Sequence, residues 1–361
     1  MSVLARPSEA LASLTGLRGI AAWWVVLYHF RIEAGLDHTP MIGPLLAQGY
    51  LAVDLFFILS GFVIALRYTQ SFTSVTKRGV VRFLGYRLSR IYPLHFVVLV
   101  LYGSVPLLYA VTGQPVPAGR YDLQYLVESL LLVQNWGLRN VFAWNFPAWS
   151  ISTEWAAYLL FPTASLLACR LPAMARFLVI LAALVLLGAV GHLAGGLGDR
   201  IPIIGLYRCL AEFAIGMALH GLWANRVPPR GPWAVLAFAG SLATWATFRA
   251  PDYLLAPVTL TLLVWTLLDQ QTVVARLLSH RAVLALGEVS YSTYLVHYLV
   301  KDWLKLGLSA DTPPLLEVIA FVGLVFLASL LLFRFVEQPG RRLGREWTDW
   351  LVSGSVRDVR P

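Results

Sequence analysis

Apolar stretches of about 20 residues recur from one end of the chain to the other, and that recurrence limits the fold more than any other feature. Inside a bilayer no water pairs with exposed backbone amides, so a spanning segment satisfies them internally, as a helix. The runs predict helices at about 12–31, 49–69, 89–111, 146–168, 175–194, 202–223, 232–249, 253–269, 283–304 and 315–336. The 361 residues are 58% hydrophobic and 13% charged, with mean hydropathy +0.69. The expected fold class is therefore all-α, a polytopic membrane bundle of about ten transmembrane helices. The segment Asp122 to Trp136 is shorter and carries Glu128, so it is expected to be interfacial or re-entrant.

Charge sets the expected orientation. With the N-terminus in the cytoplasm, the inner loops and tails hold 19 Lys and Arg and the outer loops 7, leaving Arg18 and Arg208 within helices. That bias places both termini in the cytoplasm. It also accounts for the net charge of +9 without nucleic acid. No internal repeat or low-complexity tract is visible, so residues 1–361 read as one membrane domain with its core at 12–339 and no appended soluble domain. The first apolar run lacks a cleavage site and reads as a retained helix. Cys169 and Cys209 fall at opposite predicted depths, so neither a disulfide nor a metal-ligand cluster is expected. Abundant Arg and Ala beside only three Lys suits a GC-rich bacterium, and the expected location is the bacterial cytoplasmic membrane.

Ionisable residues inside the apolar runs carry the functional signal, because each costs roughly 3 kcal/mol or more at membrane depth. In Leu17 to Phe30, Arg18 and His29 are eleven residues apart, three helical turns plus about 20°, so they share a face about 16 Å long. Ala22 and Val25 lie between them and are small, leaving a slot along that face. In the second run Asp54 shares a face with Gly61. In the fourth, Ser150, Glu154 and Tyr158 form a polar stripe, and in the ninth Ser290, Tyr294, His297 and Lys301 form another. His29, Asp54, Glu154 and His297 fall at similar predicted heights. A carboxylate beside an imidazole fixes its tautomer and raises its basicity, as a general base requires. Interhelical packing is the alternative role for Ser150, Tyr294 and His297. On the cytoplasmic side Arg87 and Arg90, with Arg82 upstream, have the spacing for phosphate, although inward-facing loops are basic in any case. Glu337 ends the last run at the level of these arginines and is expected to form a structural ion pair.

Taken together, Arg18 and His29, GYLAVDLFFILSGF, Arg87 and Arg90 before Ile91-Tyr92-Pro93, WSISTEW, GEVSYSTYLVH and VEQP resemble the acyltransferase 3 family of integral-membrane acyltransferases over residues 17–339. The resemblance implies about ten helices and transfer of an acyl group, commonly acetyl, from cytoplasmic acyl-CoA to a hydroxyl of a carbohydrate or other small acceptor. It implies that Arg18 and His29 are essential and that Arg87 and Arg90 handle CoA. Acyl-CoA is then a co-substrate, with no bound cofactor or metal; a carbohydrate or glycoconjugate acceptor and membrane lipid are the other partners, and monomer and homodimer both stay open. Some members add a C-terminal esterase-like domain, which this chain lacks. Trp155 stands where a second carboxylate often follows the Glu of WSISTEW. A transporter or flippase of a polar lipid-linked sugar also needs polar groups amid helices, but no repeated pair of broken helices supports it. A scaffold subunit would not explain the aligned ionisable residues.

Overall fold

The computed structural model describes residues 7–225, 232–248, 250–308 and 312–354. Among them the chain is helical, with no strand. A long helix stands at each of the ten predicted places: α1 (Pro7–Phe30), α2 (Ala52–Tyr68), α3 (Lys77–Tyr102), α4 (Trp149–Ala168), α5 (Ala173–Ala194), α6 (Ile201–Ala224), α7 (Pro232–Phe248), α8 (Asp252–Leu267), α9 (Ser290–Gly307) and α10 (Pro314–Leu332). An eleventh, α11 (Gln338–Gly354), follows α10 through a π-helical turn at Phe333–Glu337. Five helical stretches are long and apolar enough to cross a membrane: Ile42–Ser71, Lys77–Thr112, Ala173–Ala194, Ile201–Ala224 and Pro314–Gly354. In α1, α4 and α9 the apolar run is interrupted by the polar residues of interest, Arg18, Glu154 and the pair His297 and Lys301. Of the charges used for orientation, Arg6, Arg226, Arg230, Arg249, Arg357 and Arg360 lie outside the described residues.

Two predicted boundaries shift for local reasons. The third helix begins at Lys77, not near 89, because the Thr76 side chain caps it by accepting from the Gly79 amide at 3.1 Å. Arg78, Arg82 and Arg87 therefore sit on a helix, and the former outer part of that run is a separate helix, Ser104–Thr112. The ninth segment is likewise two pieces, Arg281–Glu288 and α9. Asp122 to Trp136 forms only a short helix, Leu123–Leu130, capped by Asp122 accepting from the Tyr125 amide at 2.7 Å.

Glycine sets the two closest seams. A Cβ on Gly61 of α2 would lie 2.1 Å from the Phe213 carbonyl oxygen of α6, and one on Gly216 would lie 2.0 Å from that of Ile58. Only glycine at both positions lets these backbones touch, as between small residues in membrane helices. On α1, Gly19 meets Gly287, whose own Cβ would lie 2.0 Å from the Thr15 carbonyl oxygen. That contact holds Arg18 beside the start of α9. The amphipathic α11 packs along the first half of α3, where Tyr86 donates to Asp349 at 2.7 Å.

Candidate active site

Five helices enclose a cavity of about 130 Å³. α1 contributes Arg18, α2 Ser60, and α3 Arg87 and Arg90; α4 contributes Ser150, Glu154 and Tyr158, and α9 Ser290, Tyr291 and Tyr294. Both polar stripes thus reach the same space, since residues four apart share a helix face. The Ser60 hydroxyl donates to Glu154 Oε1, and that carboxylate is within electrostatic reach of Arg18 and Tyr158. Ser150 and Tyr294 exchange a hydrogen bond of 2.9 Å, and the Tyr294 hydroxyl also donates to the Pro147 carbonyl at 3.0 Å. Three guanidiniums against one carboxylate leave the cavity net positive.

Arg87 is buried, donates to the Tyr68 hydroxyl at 3.2 Å and lies over the Tyr68 and Tyr158 rings, while its Nε finds no partner among the described residues. Arg90 lies over the Tyr291 ring and pairs with Glu337, which is fully buried and also accepts from Ser292 at 2.7 Å. The expected ion pair of Glu337 is therefore made with Arg90. Arg82 departs from expectation: it is exposed, 3.4 Å from Asp349, and does not line the cavity. Its position on α3 turns it toward α11 and away from α4.

Asp54 needs a larger correction. Its carboxylate does not approach His29 but takes three hydrogen bonds of 2.7–3.1 Å from Arg208 on α6, and Arg208 also donates to the Leu197 carbonyl at 2.5 Å. The face of α2 shared by Asp54 and Gly61 is the one pressed on α6, so the glycine seam dictates the partner. Glu212, one turn beyond Arg208, is fully buried beside this pair. Two charged residues four apart in the apolar run IGLYRCLAEF were the overlooked signal.

His29 sits outside the cavity lining, toward the other end of α1. Its ring stacks on His297 at 5.2 Å between centroids and meets Phe146 and Tyr298 edge-on at 5.6 and 5.3 Å. His297 Nδ1 donates to the Tyr294 carbonyl at 2.6 Å; a neutral ring then keeps its lone pair on Nε2, which is buried without a partner among the described residues. Lys301 donates to the His29 carbonyl at 2.9 Å and pairs with Glu33 at 3.0 Å. The predicted slot is closed, because Ala22 and Val25 are fully buried. Tyr294 lines the cavity and lies 5.9 Å from the His297 ring, so it stands between the arginine cavity and the imidazole pair. In the preceding loop, burial alone would lower the Arg120 pKa, but Asp302 at 2.5 Å raises it above the ordinary arginine value and keeps that pair ionic.

An all-helical membrane bundle with arginines and a carboxylate gathered in one cavity defines a class, and comparison with known proteins identifies it. The chain belongs to the Acyltransferase domain family, which matches residues 11–334. It is 28% identical over 382 residues to "Acyltransferase MdmB" of Streptomyces mycarofaciens, covering 92% of each chain. It is 23% identical over 385 residues to "Putative O-acetyltransferase SACOL0978" of Staphylococcus aureus, covering 97% of this chain and 60% of that one. A third similarity, 37% over 123 residues, is to "Protein 2 in picA locus" of Rhizobium radiobacter and covers 34% of this chain and 58% of that one. No solved structure matches.

Proposed function

We propose that this acyltransferase moves an acyl group, acetyl in the first instance, from cytoplasmic acyl-CoA to a hydroxyl of a carbohydrate or glycoconjugate, in the bacterial cytoplasmic membrane and with ten spans and both termini inside. The observation that carries the reading is the convergence of Arg18, Arg87 and Arg90 on one cavity that also holds Glu154. Guanidiniums suit the phosphates of CoA through paired charge-assisted hydrogen bonds. In this reading Arg87 and Arg90 bind those phosphates, and Arg18 holds the donor further in. His29 removes the acceptor hydroxyl's proton as its oxygen attacks the thioester carbonyl; the C–S bond breaks, and His29 returns the proton to the departing thiolate. His297 backs the His29 ring, and Glu154 polarises the space near Arg18. At about 130 Å³ the cavity is smaller than a usual ligand site of roughly 300–1,000 Å³. Donor entry therefore requires Phe56 and Tyr294, whose rings lie 5.8 Å apart, to move aside.

Purified protein given labelled acetyl-CoA and a panel of glycan acceptors tests this. His29→Ala is expected to remain folded and to lose acyl transfer about 100-fold or more, the usual contribution of a general base. Near-normal turnover by that variant removes His29 from the chemistry, and Arg87→Ala with unchanged CoA affinity removes the phosphate assignment.

A further inference from the structure

A second cavity, of about 810 Å³, opens at the Arg87 end of the bundle, between α2, α4, α5 and α6. It belongs to no step above, since its lining shares no residue with the arginine cavity. Most of its wall is apolar, formed by Ala65, Leu66, Ala164, Leu167, Met217 and Ala218. Its charged lining residues are Arg67 and Arg176, with no carboxylate. Arg176 is buried; its Nη1 donates to the Gly221 carbonyl at 2.9 Å. Neither arginine has an ion pair among the described residues.

A buried guanidinium without an opposite charge is costly, and a bound anion offsets that cost. A small soluble anion would satisfy the arginines yet leave the apolar wall wet. An anion carrying a hydrocarbon chain satisfies both. We propose that this groove binds one anionic glycerophospholipid, its phosphate between Arg67 and Arg176 and one acyl chain along Leu66, Leu167 and Met217. The groove lies at the end of the bundle where a basic surface also favours anionic lipid.

Cys169 lines this groove and is exposed, whereas Cys209 is buried, so a single maleimide label reports its occupancy. The full chain is placed in phosphatidylcholine nanodiscs with or without a minor fraction of phosphatidylglycerol, and the alkylation rate of Cys169 is measured. Phosphatidylglycerol is expected to slow alkylation about fivefold or more, the effect of one interfacial arginine. Inorganic phosphate in phosphatidylcholine discs is expected to have no effect. Arg67 is exposed, so Arg67→Glu is expected to fold and to lose the protection. Leu167→Trp, on the exposed rim, obstructs the chain's path and is expected to lose it as well. Equal rates in the two lipids, protection by phosphate alone, or full protection in both variants would overturn the proposal. Acyl transfer is not the readout, so a failure of the donor assignment leaves this result legible.

Discussion

Replacing Arg208 by Met isolates the part that Asp54 plays. The Asp54 carboxylate would then stand fully buried, beside the second carboxyl of Glu212, having lost hydrogen bonds of 2.7, 2.8 and 3.1 Å. Removing one member of a buried pair costs about 3–5 kcal/mol. Protonation limits that cost: holding an ordinary aspartate neutral at pH 7 takes about 4 kcal/mol, falling by about 1.4 kcal/mol for each pH unit below it. Arg208→Met is therefore expected to be destabilised by about 3–4 kcal/mol at pH 7 and to recover part of this at pH 5. Asp54→Leu combined with Arg208→Met removes both charges and is expected to return within about 1 kcal/mol of the parent, because an apolar pair often replaces a buried ion pair without loss. Denaturation in detergent, followed by circular dichroism at both pH values, gives the comparison. A double variant as unstable as the single one would refute the reasoning. The same double variant is expected to keep acyl transfer; its loss in a folded protein would return Asp54 to the site.

Three further outcomes follow from the packing. Gly216→Leu drives a side chain into the Ile58 carbonyl, where backbone meets backbone, and is expected to cost about 3 kcal/mol, read as loss of the monodisperse peak in size exclusion. Glu337→Gln leaves Arg90 without its buried carboxylate and is expected to cost about 3 kcal/mol in thermal unfolding, against about 1 kcal/mol for Ser292→Ala. Arg82→Gln is expected to change CoA affinity less than about twofold in equilibrium binding, since its exposed contact with Asp349 is worth little.

The helices were legible because hydropathy reports them directly, and so was the four-residue spacing that carries Ser150, Glu154 and Tyr158 into one cavity. Which helix faces which was not legible. Asp54 shares a face with Gly61, as its spacing requires, but only contact with Gly216 shows that this face meets α6 and Arg208. Ser60 was hidden because a lone serine in FFILSGF carries no periodicity. The slot beside Ala22 and Val25 failed for a related reason: small residues invite a neighbouring helix as readily as they leave a gap, and here the neighbours fill it.

The π-helical turn at Phe333–Glu337 has a consequence for insertions and deletions. Such a turn holds one residue more than its α-helical counterpart. Deleting Val336 would restore an ordinary helix while rotating everything beyond it by about 100° and drawing it back about 1.5 Å. Thr348 and Val352, now buried, would swing outward, and the whole C-terminal helix would lose its seat on α3. Loss of a single codon here should thus be far more damaging than removal of several from a surface loop, an asymmetry that a scan of one-residue deletions would expose.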